Sequence, residues 1–340
     1  MIQDTIQAET SDISVIICAY TERRWDDLAA AVSSVQQQTL PAREIIVVID
    51  HNPQLFNKAQ ADLTGIAVIQ NQEERGLSGA RNSGVAIAQG QFIAFLDDDA
   101  LADANWLMLF QQVLQDPHIL GVGGSVVPLW VDHNPSWLPE EFYWVVGCTY
   151  LGMPQNNAPI RNPIGASMCL RREVFESVGG FRSGIGRVGT RPIGCEETEL
   201  CIRASQHWPV RQFFYQPQAR VQHRVPGQRA QWSYFWSRCY AEGISKAFIT
   251  RYVGTKDALS SENTYTFHTL PRGVTRNIKS VFTQHNPGGL LKAIAIITGL
   301  GVTAGGYIIG RLFSRKNEQE QSKQILAVHD RQEGDPTPVL

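Results

Sequence analysis

Short apolar runs alternate with helical patterns in the first third of the chain, and this alternation constrains the fold more than any other feature. Residues 15–18, 44–49 and 67–70 are rich in β-branched side chains, whereas residues 25–38 and 78–89 have the apolar spacing of helices. Such alternation is typical of βαβ units, in which right-handed crossovers join parallel strands. The sequence therefore predicts an α/β fold with a Rossmann-like, mostly parallel sheet flanked by helices.

Three consecutive aspartates follow the next apolar run. Residues 92–96 predict a fourth buried strand, and Asp97, Asp98 and Asp99 stand where it ends. Ionised carboxylates are rarely buried without a partner, and hard divalent cations are bound through oxygen. A Mg²⁺ or Mn²⁺ ion shared with a phosphate-bearing substrate therefore explains the cluster economically. The alternative for Asp99 is a helix cap, because a helix is predicted over residues 105–115.

A second acidic cluster begins the predicted helix 196–206. The helix macrodipole favours glutamates such as Glu196 and Glu197 at a helix start, and this alone would explain the cluster without any role in function. The preceding segment combines glycines with Arg187 and Arg191, a composition that suits a lid over an anionic substrate. A carboxylate behind such a lid suits a general base, which makes Glu196 and Glu197 the candidate catalytic residues.

Two further segments carry groups that suit a phosphate or a metal. Residues 75–84 place glycines and Arg81 at a predicted helix start, although they match neither a dinucleotide fingerprint nor a P-loop. Helix packing alone also explains their small side chains. His223 ends the extended segment 211–223 and is a candidate third metal ligand, although a lone histidine is more often structural.

The carboxyl-terminal part contains two helical patterns. Residues 232–252 place apolar side chains on one stripe, which favours packing against the sheet over contact with a membrane surface. Residues 290–310 carry one charge, Lys292, and at ~1.5 Å per residue they are long enough to cross a bilayer. A re-entrant or interfacial hairpin is the alternative, because glycines and threonines weaken the hydropathy. Basic residues on both sides leave the orientation open.

The apolar segment also contains two G-x-x-x-G spacings, Gly301 with Gly305 and Gly306 with Gly310. Such spacings allow two helices to approach closely. They suggest a homodimer formed through this glycine-rich helix.

Composition excludes several classes of partner and site. The net charge is −2, so the chain lacks the basic surface that nucleic-acid binding requires. Its six cysteines have no C-x-x-C spacing, which argues against a zinc or redox site and favours reduced thiols in a cytosol-facing protein. Residues 1–12 are polar and acidic, unlike a signal peptide.

In their order and spacing, these motifs resemble the inverting family 2 glycosyltransferases with the GT-A fold. The resemblance covers about residues 14–252. It rests on the first strand (residues 14–20), the end of the second strand (Asp50) and the glycine-containing helix start (79–84). It also rests on the two acidic clusters (97–99 and 196–200).

The resemblance implies roles for individual residues. Asp97 and Asp99 correspond to the D-x-D metal motif, and Glu197, with Glu196 beside it, falls where the family often has a catalytic aspartate. The implied nucleotide-sugar residues are Ala19, Tyr20, Glu22, Asp50, Arg81, Asp97 and Asp98. Residues 48–53 depart from the usual Asp-Asp-Gly-Ser ending, which puts base recognition in doubt.

Residues 137–150, 194–203 and 237–243 are similar to the glucosyl-dolichyl-phosphate glucuronosyltransferase-like branch, whose members extend lipid-linked glycans. This similarity implies a glycan or lipid-linked acceptor. The candidate acceptor residues are Trp144, Arg187 and Arg191. It also implies membrane association, with the catalytic domain facing the cytoplasm.

The sequence thus predicts a metal-dependent enzyme that moves a sugar from a nucleotide-diphosphate sugar, most simply a UDP-sugar, to an acceptor hydroxyl with inversion. The alternatives are a polyprenyl-phosphate sugar synthase and a non-catalytic nucleotide-sugar-binding membrane protein. A processive synthase is disfavoured, because residues 228–232 lack the arginine of the Gln-x-x-Arg-Trp motif. We expect a flexible amino terminus (1–12), a nucleotide-sugar-binding half (13–128) and a half that binds the acceptor and carries the catalytic base (129–253). A juxtamembrane segment (254–288), a transmembrane helix (289–312) and a disordered tail (313–340) are expected to follow.

Overall fold

The structure, a computed structural model, describes residues 10–183, 194–258 and 262–333. In this part of the chain a single sheet is built from short and long strands. They are β1 (Ile13–Ala19), β2 (Glu44–Ile49), β3 (Ala67–Gln70), β4 (Phe92–Asp97), β5 (Ala100–Ala102), β6 (Ile119–Trp130), β7 (Ala158–Ile160), β8 (Ser167–Arg171) and β9 (Gln212–Val225).

The sheet has the order β3-β2-β1-β4-β8-β6-β9-β5, and β7 also pairs with β9. Strands β1 to β4 are parallel to one another, as the strand–helix alternation predicts. Strand β8 is antiparallel to both β4 and β6, whereas β6 and β9 are again parallel. The carboxyl ends of β1, β2 and β4 therefore meet at one edge of the sheet.

The first six helices cover both faces of this sheet. They are α1 (Trp25–Gln36), α2 (Pro53–Asp62), α3 (Leu77–Ile87), α4 (Trp106–Leu114), α5 (Arg172–Val178) and α6 (Glu196–His207). In β1, Val15 and Ile17 belong to the apolar cluster with α1, α2 and α4, whereas Ile16 belongs to the cluster with α3, α5 and α6. A Cβ on Gly84 of α3 would approach the Ile16 side chain to 2.8 Å, so glycine there lets α3 lie close to the sheet.

The remaining helices follow β9. They are α7 (Trp232–Val253), α8 (Thr255–Ala258), α9 (Glu262–Thr264), α10 (Leu270–Thr283) and α11 (Gly288–Glu333). A third apolar cluster joins Phe142, Phe235, Leu270 and Ile296, so it ties α7, α10 and α11 to a 3-10 helix, Glu140–Val146.

Helix α7 packs chiefly against α11 rather than against the sheet, which corrects the sequence-based prediction. The reason is close backbone contact at glycine. A Cβ on Gly243 of α7 would overlap the carbonyl oxygen of Thr303, and a Cβ on Gly306 of α11 would overlap the carbonyl oxygen of Tyr240.

This packing bears on the predicted homodimer. Gly306 and Gly310 face α7 of the same chain. At Gly301 and Gly305, by contrast, an added Cβ would have no other group of the described residues within 4 Å. One of the two glycine spacings is therefore used inside the molecule. The packing gives the homodimer no support.

Within the described residues, Gly288–Leu312 is the helix segment that is long and apolar enough to cross a membrane, and 33% of its most apolar stretch is buried. The helix continues to Glu333, whereas the sequence analysis places a disordered tail from residue 313. Residues 313–333 contain many Lys, Glu and Gln residues and neither Gly nor Pro, a composition that favours helix.

Candidate active site

The three predicted metal ligands converge at the carboxyl end of β4. Asp97 closes that strand, and β5 pairs with β9 so that His223 stands opposite Ala100, next to Asp99. His223 Nε2 lies 3.0 Å from Asp99 Oδ1. One ligand atom from each of Asp97, Asp99 and His223 lies within 4.8 Å of the others.

Asp99 is also held by two arginines that the sequence analysis did not identify. Arg24 Nη1 donates to Asp99 Oδ2 at 2.9 Å, and Arg229 Nη2 donates to the same oxygen at 3.3 Å. Burial raises the pKa of Asp99, but the charges of His223 and the arginines outweigh burial and hold the pKa well below its usual range. For His223, burial lowers the pKa, and the Asp99 carboxylate raises it to about 10. Asp99 is therefore a charged anchor of the cluster and does not cap α4, whose N-cap is Asn105.

The neighbouring Asp98 gives a test of whether a cation fits here. Its side chain is buried, and its Oδ1 lies 3.0 Å from Arg24 Nη1. Its Oδ2 is buried and lacks a hydrogen-bond partner among the described residues, and burial raises the pKa of this carboxyl well above its usual value. An orphaned carboxylate oxygen beside two carboxylates and an imidazole fits a divalent cation. A bound cation would displace the proton that His223 carries, and the neutral imidazole would then favour Mn²⁺ over Mg²⁺, which prefers oxygen ligands.

Arg81 connects the two acidic clusters, because it contacts one carboxylate of each. It is 2% exposed, its Nη1 donates to Glu196 Oε1 at 2.9 Å, and its Nη2 lies 3.5 Å from Asp97 Oδ1. The guanidinium also lies over the rings of Phe95 and Phe181. Arg81 was predicted to bind the nucleotide sugar. In the structure its charge is already divided between two carboxylates, so it positions both of them.

Glu196 and Glu197 begin α6, as predicted, but their surroundings differ. Glu196 is buried against Arg81, whereas Glu197 is half-buried and accepts a hydrogen bond from Thr198 Oγ1 at 3.2 Å. Burial and the adjacent charge of Glu196 raise the pKa of Glu197 to about 8. A carboxylate with its pKa near neutrality is suited to take a proton from an acceptor. The two candidate bases therefore differ in burial, in ion pairing and in pKa.

The other predicted nucleotide-sugar residues lie at the ends of β1 and β2. Both oxygens of buried Asp50 are used, because Oδ1 accepts from Asn71 Nδ2 at 2.7 Å and Oδ2 accepts from the Gly76 N–H at 3.0 Å. Asp50 therefore fixes the turn that leads into α3. Ala19 is buried at the end of β1, Tyr20 is 46% exposed beneath the Arg24 guanidinium, and Glu22 starts a short 3-10 turn.

A cavity of about 700 Å³ opens beside these carboxylates. Asp97, Glu196 and Glu197 line one part, and residues of α11, including Leu300 and Tyr307, line another. The predicted acceptor residue Trp144 also lines it, with its Nε1 donating to the Tyr265 hydroxyl at 3.0 Å. The other predicted acceptor residues, Arg187 and Arg191, lie outside the described residues.

Sequence reasoning missed several charged residues of this region. Arg24 and Arg229 hold Asp99, and five more charged side chains line the cavity, namely Arg161, Arg238, Glu242, Lys246 and Glu262. Arg229 had a local signal, since it lies in the segment compared with the Gln-x-x-Arg-Trp motif. Arg238 and Glu242 lie in residues 237–243, which carry the similarity to the glucuronosyltransferase-like branch, whereas Arg24, Arg161, Lys246 and Glu262 are brought in by folding alone.

Comparison with known proteins agrees with this architecture. Residues 14–179 match the family described as "Glycosyl transferase family 2". The glucosyl-dolichyl phosphate glucuronosyltransferase of Haloferax volcanii is 31% identical over 88% of this chain and 96% of the relative. A UDP-Glc:alpha-D-GlcNAc-diphosphoundecaprenol beta-1,3-glucosyltransferase of Escherichia coli is 33% identical over 28% of this chain and 38% of its own length.

The fold is shared with a solved structure, a mannosyltransferase from Pyrobaculum calidifontis in complex with GDP-Man and Mn²⁺. The TM-score is 0.58 at 17% identity, and the match covers 90% of this chain and 88% of the other. This likeness concerns the fold, which is the GT-A fold predicted from the sequence. The match to the Haloferax relative over most of both chains, together with the family match over residues 14–179, shows that the chain belongs to glycosyltransferase family 2.

Proposed function

We propose that this glycosyltransferase moves a sugar from a nucleotide-diphosphate sugar, with UDP as the expected nucleotide, to a hydroxyl of a lipid-linked glycan acceptor. The observation that carries the proposal is the shared cavity, in which Asp97 and Glu197 lie on one wall and apolar residues of α11 on another. In a sugar acceptor joined to a lipid, the sugar needs the carboxylates and the lipid needs the apolar surface, so both must lie in one cavity. The printed names of the Haloferax and Escherichia relatives, which refer to dolichyl phosphate and diphosphoundecaprenol, favour the same acceptor class.

The donor half of the reaction is assigned to the cluster at the end of β4. Asp97, Asp99 and His223 would hold Mn²⁺, and Arg24 and Arg229 keep Asp99 ionised and oriented. A bound divalent cation supplies positive charge that stabilises a departing nucleoside diphosphate. Residues 13–128 thus contribute the carboxylates of this cluster, and residues 129–253 contribute His223 and the base.

The acceptor half is assigned to Glu197. Its raised pKa suits removal of a proton from a neutral hydroxyl as that oxygen attacks the anomeric carbon. A lipid phosphate is already anionic and needs no base, so this environment favours a hydroxyl acceptor over the polyprenyl-phosphate sugar synthase alternative. The same feature disfavours a non-catalytic sugar-binding protein, because binding alone does not require a perturbed carboxylate.

Inversion is part of the proposal and is supported by the roles assigned to the carboxylates. A retaining double displacement needs a carboxylate nucleophile on the donor's other face. Glu196 is engaged by Arg81, Asp99 by three cationic groups, and Asp97 is assigned to the metal, so we assign Glu197 as the base of a single displacement.

Membrane association is proposed from the apolar surface of α11. Ile297, Ile308 and Leu312 are each about 60% exposed, so the helix presents an apolar face away from its contacts with α7. Such a face suits a bilayer. All six cysteines are free thiols in the structure, which fits a catalytic domain that faces the cytoplasm.

The experiment that tests this function is a donor screen followed by a transfer assay. The full chain in detergent is heated with each member of a nucleotide-sugar panel, with and without Mn²⁺, and the unfolding temperature is recorded. We expect a UDP-sugar to stabilise the protein only when Mn²⁺ is present, and the same sugar to appear on a glucosyl polyprenyl phosphate. Stabilisation by the donor without any transfer would favour the non-catalytic alternative.

A further inference from the structure

A second charged cluster lies in the cavity, apart from the carboxylates of the active site. Lys246 Nζ lies 2.5 Å from Glu262 Oε1 and 3.4 Å from Glu242 Oε1. Arg161 Nη1 lies 3.5 Å from the same Glu262 oxygen. All four side chains line the cavity, and each is only about one-fifth exposed. We call them the α7 cluster, after the helix that carries Glu242 and Lys246.

The position of the α7 cluster is set by two contacts of α7. On one side, Glu242 lies 3.6 Å from the Cys195 thiol, which directly precedes Glu196 and Glu197 at the start of α6. On the other, Gly243 packs against Thr303 and Tyr307 of α11, which line the cavity. The cluster therefore lies between the proposed base and the apolar wall.

The centre of the α7 cluster is an anion held by two cations. Lys246 and Arg161 both form ion pairs with Oε1 of the Glu262 carboxylate. Glu262 lies on α9, a single short helical turn outside the sheet. Burial lowers the pKa of Lys246, but the charges of Glu262 and Glu242 outweigh burial and raise it, so Lys246 stays cationic. Two cations that converge inside a cavity are costly unless an anion pairs with them.

We propose that Arg161 and Lys246 bind the phosphate of the lipid-linked acceptor, and that Glu262 occupies this position when the acceptor is absent. The proposal rests on the proposed function and deepens it. A sugar carried on a lipid phosphate has its hydroxyls, its phosphate and its isoprenoid in that order. The cavity presents Glu197, the two cations and α11 in the same order, so the three parts match three surfaces.

The ligand class can be tested with a short lipid phosphate. Citronellyl phosphate is titrated calorimetrically into the full chain in detergent, with UDP and Mn²⁺ at saturation to fill the donor site. Citronellol and inorganic phosphate are titrated in parallel. We expect citronellyl phosphate to bind more tightly than either, because it alone combines the anion with the apolar chain. Equal binding of inorganic phosphate would assign the site to free anions, and equal binding of citronellol would remove the anion site altogether.

Opposite effects of two substitutions distinguish ligand binding from a structural ion pair. Lys246→Gln should weaken citronellyl phosphate binding by at least about tenfold, because a charge-assisted hydrogen bond is lost. Glu262→Gln should strengthen binding, because it removes the competing carboxylate. Lys246→Arg should retain binding. Lys279→Gln, the same change at a basic residue that lines a different cavity, should leave it unchanged.

Equal losses in Lys246→Gln and Glu262→Gln would show that the pair only holds α9 against α7, and would overturn the proposal. So would a loss in Lys279→Gln as large as that in Lys246→Gln, which would indicate general attraction to basic surface. The stabilisation of the wild-type chain by UDP and Mn²⁺ is recorded separately. A failure of the donor site is thereby distinguished from a failure of this acceptor subsite.

Discussion

Glu196 and Glu197 are adjacent in the sequence, but the fold places them in different surroundings. Glu196 is paired with buried Arg81, so its carboxylate is committed to a structural contact. No salt bridge to Glu197 is found among the residues that the structure describes, and burial raises the pKa of Glu197 to about 8. The sequence alone left the choice of base open, because neither the helix start nor the family motif separates the two residues.

The pKa of Glu197 predicts the pH dependence of the reaction. Below about pH 8 the carboxyl is largely protonated and cannot accept a proton, so kcat/KM for transfer should rise with pH and level off above this value. Initial rates measured across this range with a fixed Mn²⁺ concentration test it. The affinity for the nucleotide-sugar donor, measured over the same pH range, serves as the control. It should not show the rise with pH that is expected of kcat/KM. A pH-independent kcat/KM would contradict the assignment of the base.

The metal site makes a separate prediction. Asp97→Asn or His223→Gln should each weaken Mn²⁺ binding by at least about tenfold, because each removes a ligand. Electron paramagnetic resonance of free Mn²⁺ measures the bound fraction. The exposed Asp116→Asn is a matched control and should bind as the wild type does. Unchanged binding in both site variants would place the ion elsewhere.

Sequence reasoning located the candidate ligands but not the groups that surround them. Asp97 and Asp99 could be predicted because a buried strand that ends in aspartates is a local signal. His223 could be suggested because it ends an extended segment. Arg24 approaches Asp99 from a distant part of the chain, and no local pattern indicates that contact. Arg229 lies in the segment compared with the Gln-x-x-Arg-Trp motif, but that motif does not indicate a contact with Asp99.

Among the elements, the pairing of α7 with α11 joins the catalytic domain to its apolar helix. Glycines make this contact possible, because Gly243 and Gly306 each lie against backbone of the partner helix. The sequence offered two equivalent G-x-x-x-G spacings. Only the structure distinguishes the spacing that is used within the chain, Gly306 with Gly310, from the open one.

Two adjacent glycines provide a sensitive test of this packing. Gly306→Ala should destabilise the protein by about 1–3 kcal/mol, because the added methyl overlaps the Tyr240 carbonyl. Gly305→Ala should be neutral or stabilising by up to about 1 kcal/mol, because its surroundings are open and alanine favours helix. Thermal unfolding of both variants in the same detergent measures the difference. Equal stability of the two would argue against this contact.

Short strands that are set off by polar or turn-forming residues were the elements best predicted, whether central or at the sheet edge. The bounds of β2 and β3 agree with the apolar runs, because polar or turn-forming residues limit each run. Strand β8 was missed, since its residues Ser167–Arg171 follow an irregular glycine- and proline-rich segment and enter the sheet antiparallel. Helix α10 was also missed, because its Leu270–Thr283 segment is largely polar.

At the scale of the whole molecule, α11 belongs to the fold as well as to the proposed membrane contact. Ala295 and Ile296 are buried in the third apolar cluster, and Gly299 lies against the rings of Phe142 and Phe235. The same helix exposes apolar side chains on its other face. The segment expected from composition to be a simple anchor therefore also forms part of the cavity wall.

Truncation separates these two roles. A chain that ends at Leu312 should fold and respond to a nucleotide sugar, because it keeps the buried part of α11. A chain that ends at residue 287 should aggregate or lose this response, because the rings of Phe142 and Phe235 would be exposed. Size-exclusion chromatography and thermal unfolding measure both outcomes. A well-folded shorter chain would show that α11 is only an anchor.

The central claim is that one cavity joins a metal-dependent donor site to a lipid-linked acceptor, with Glu197 as the base. Mass spectrometry of the lipid product, after incubation of the full chain with a UDP-sugar, Mn²⁺ and glucosyl polyprenyl phosphate, tests it most directly. We expect the acceptor to gain one sugar, and Glu197→Gln to reduce this gain by about 100-fold or more while Mn²⁺ binding persists. An undiminished gain in Glu197→Gln, or a sugar attached to the phosphate of an unglycosylated polyprenyl phosphate instead, would contradict the account.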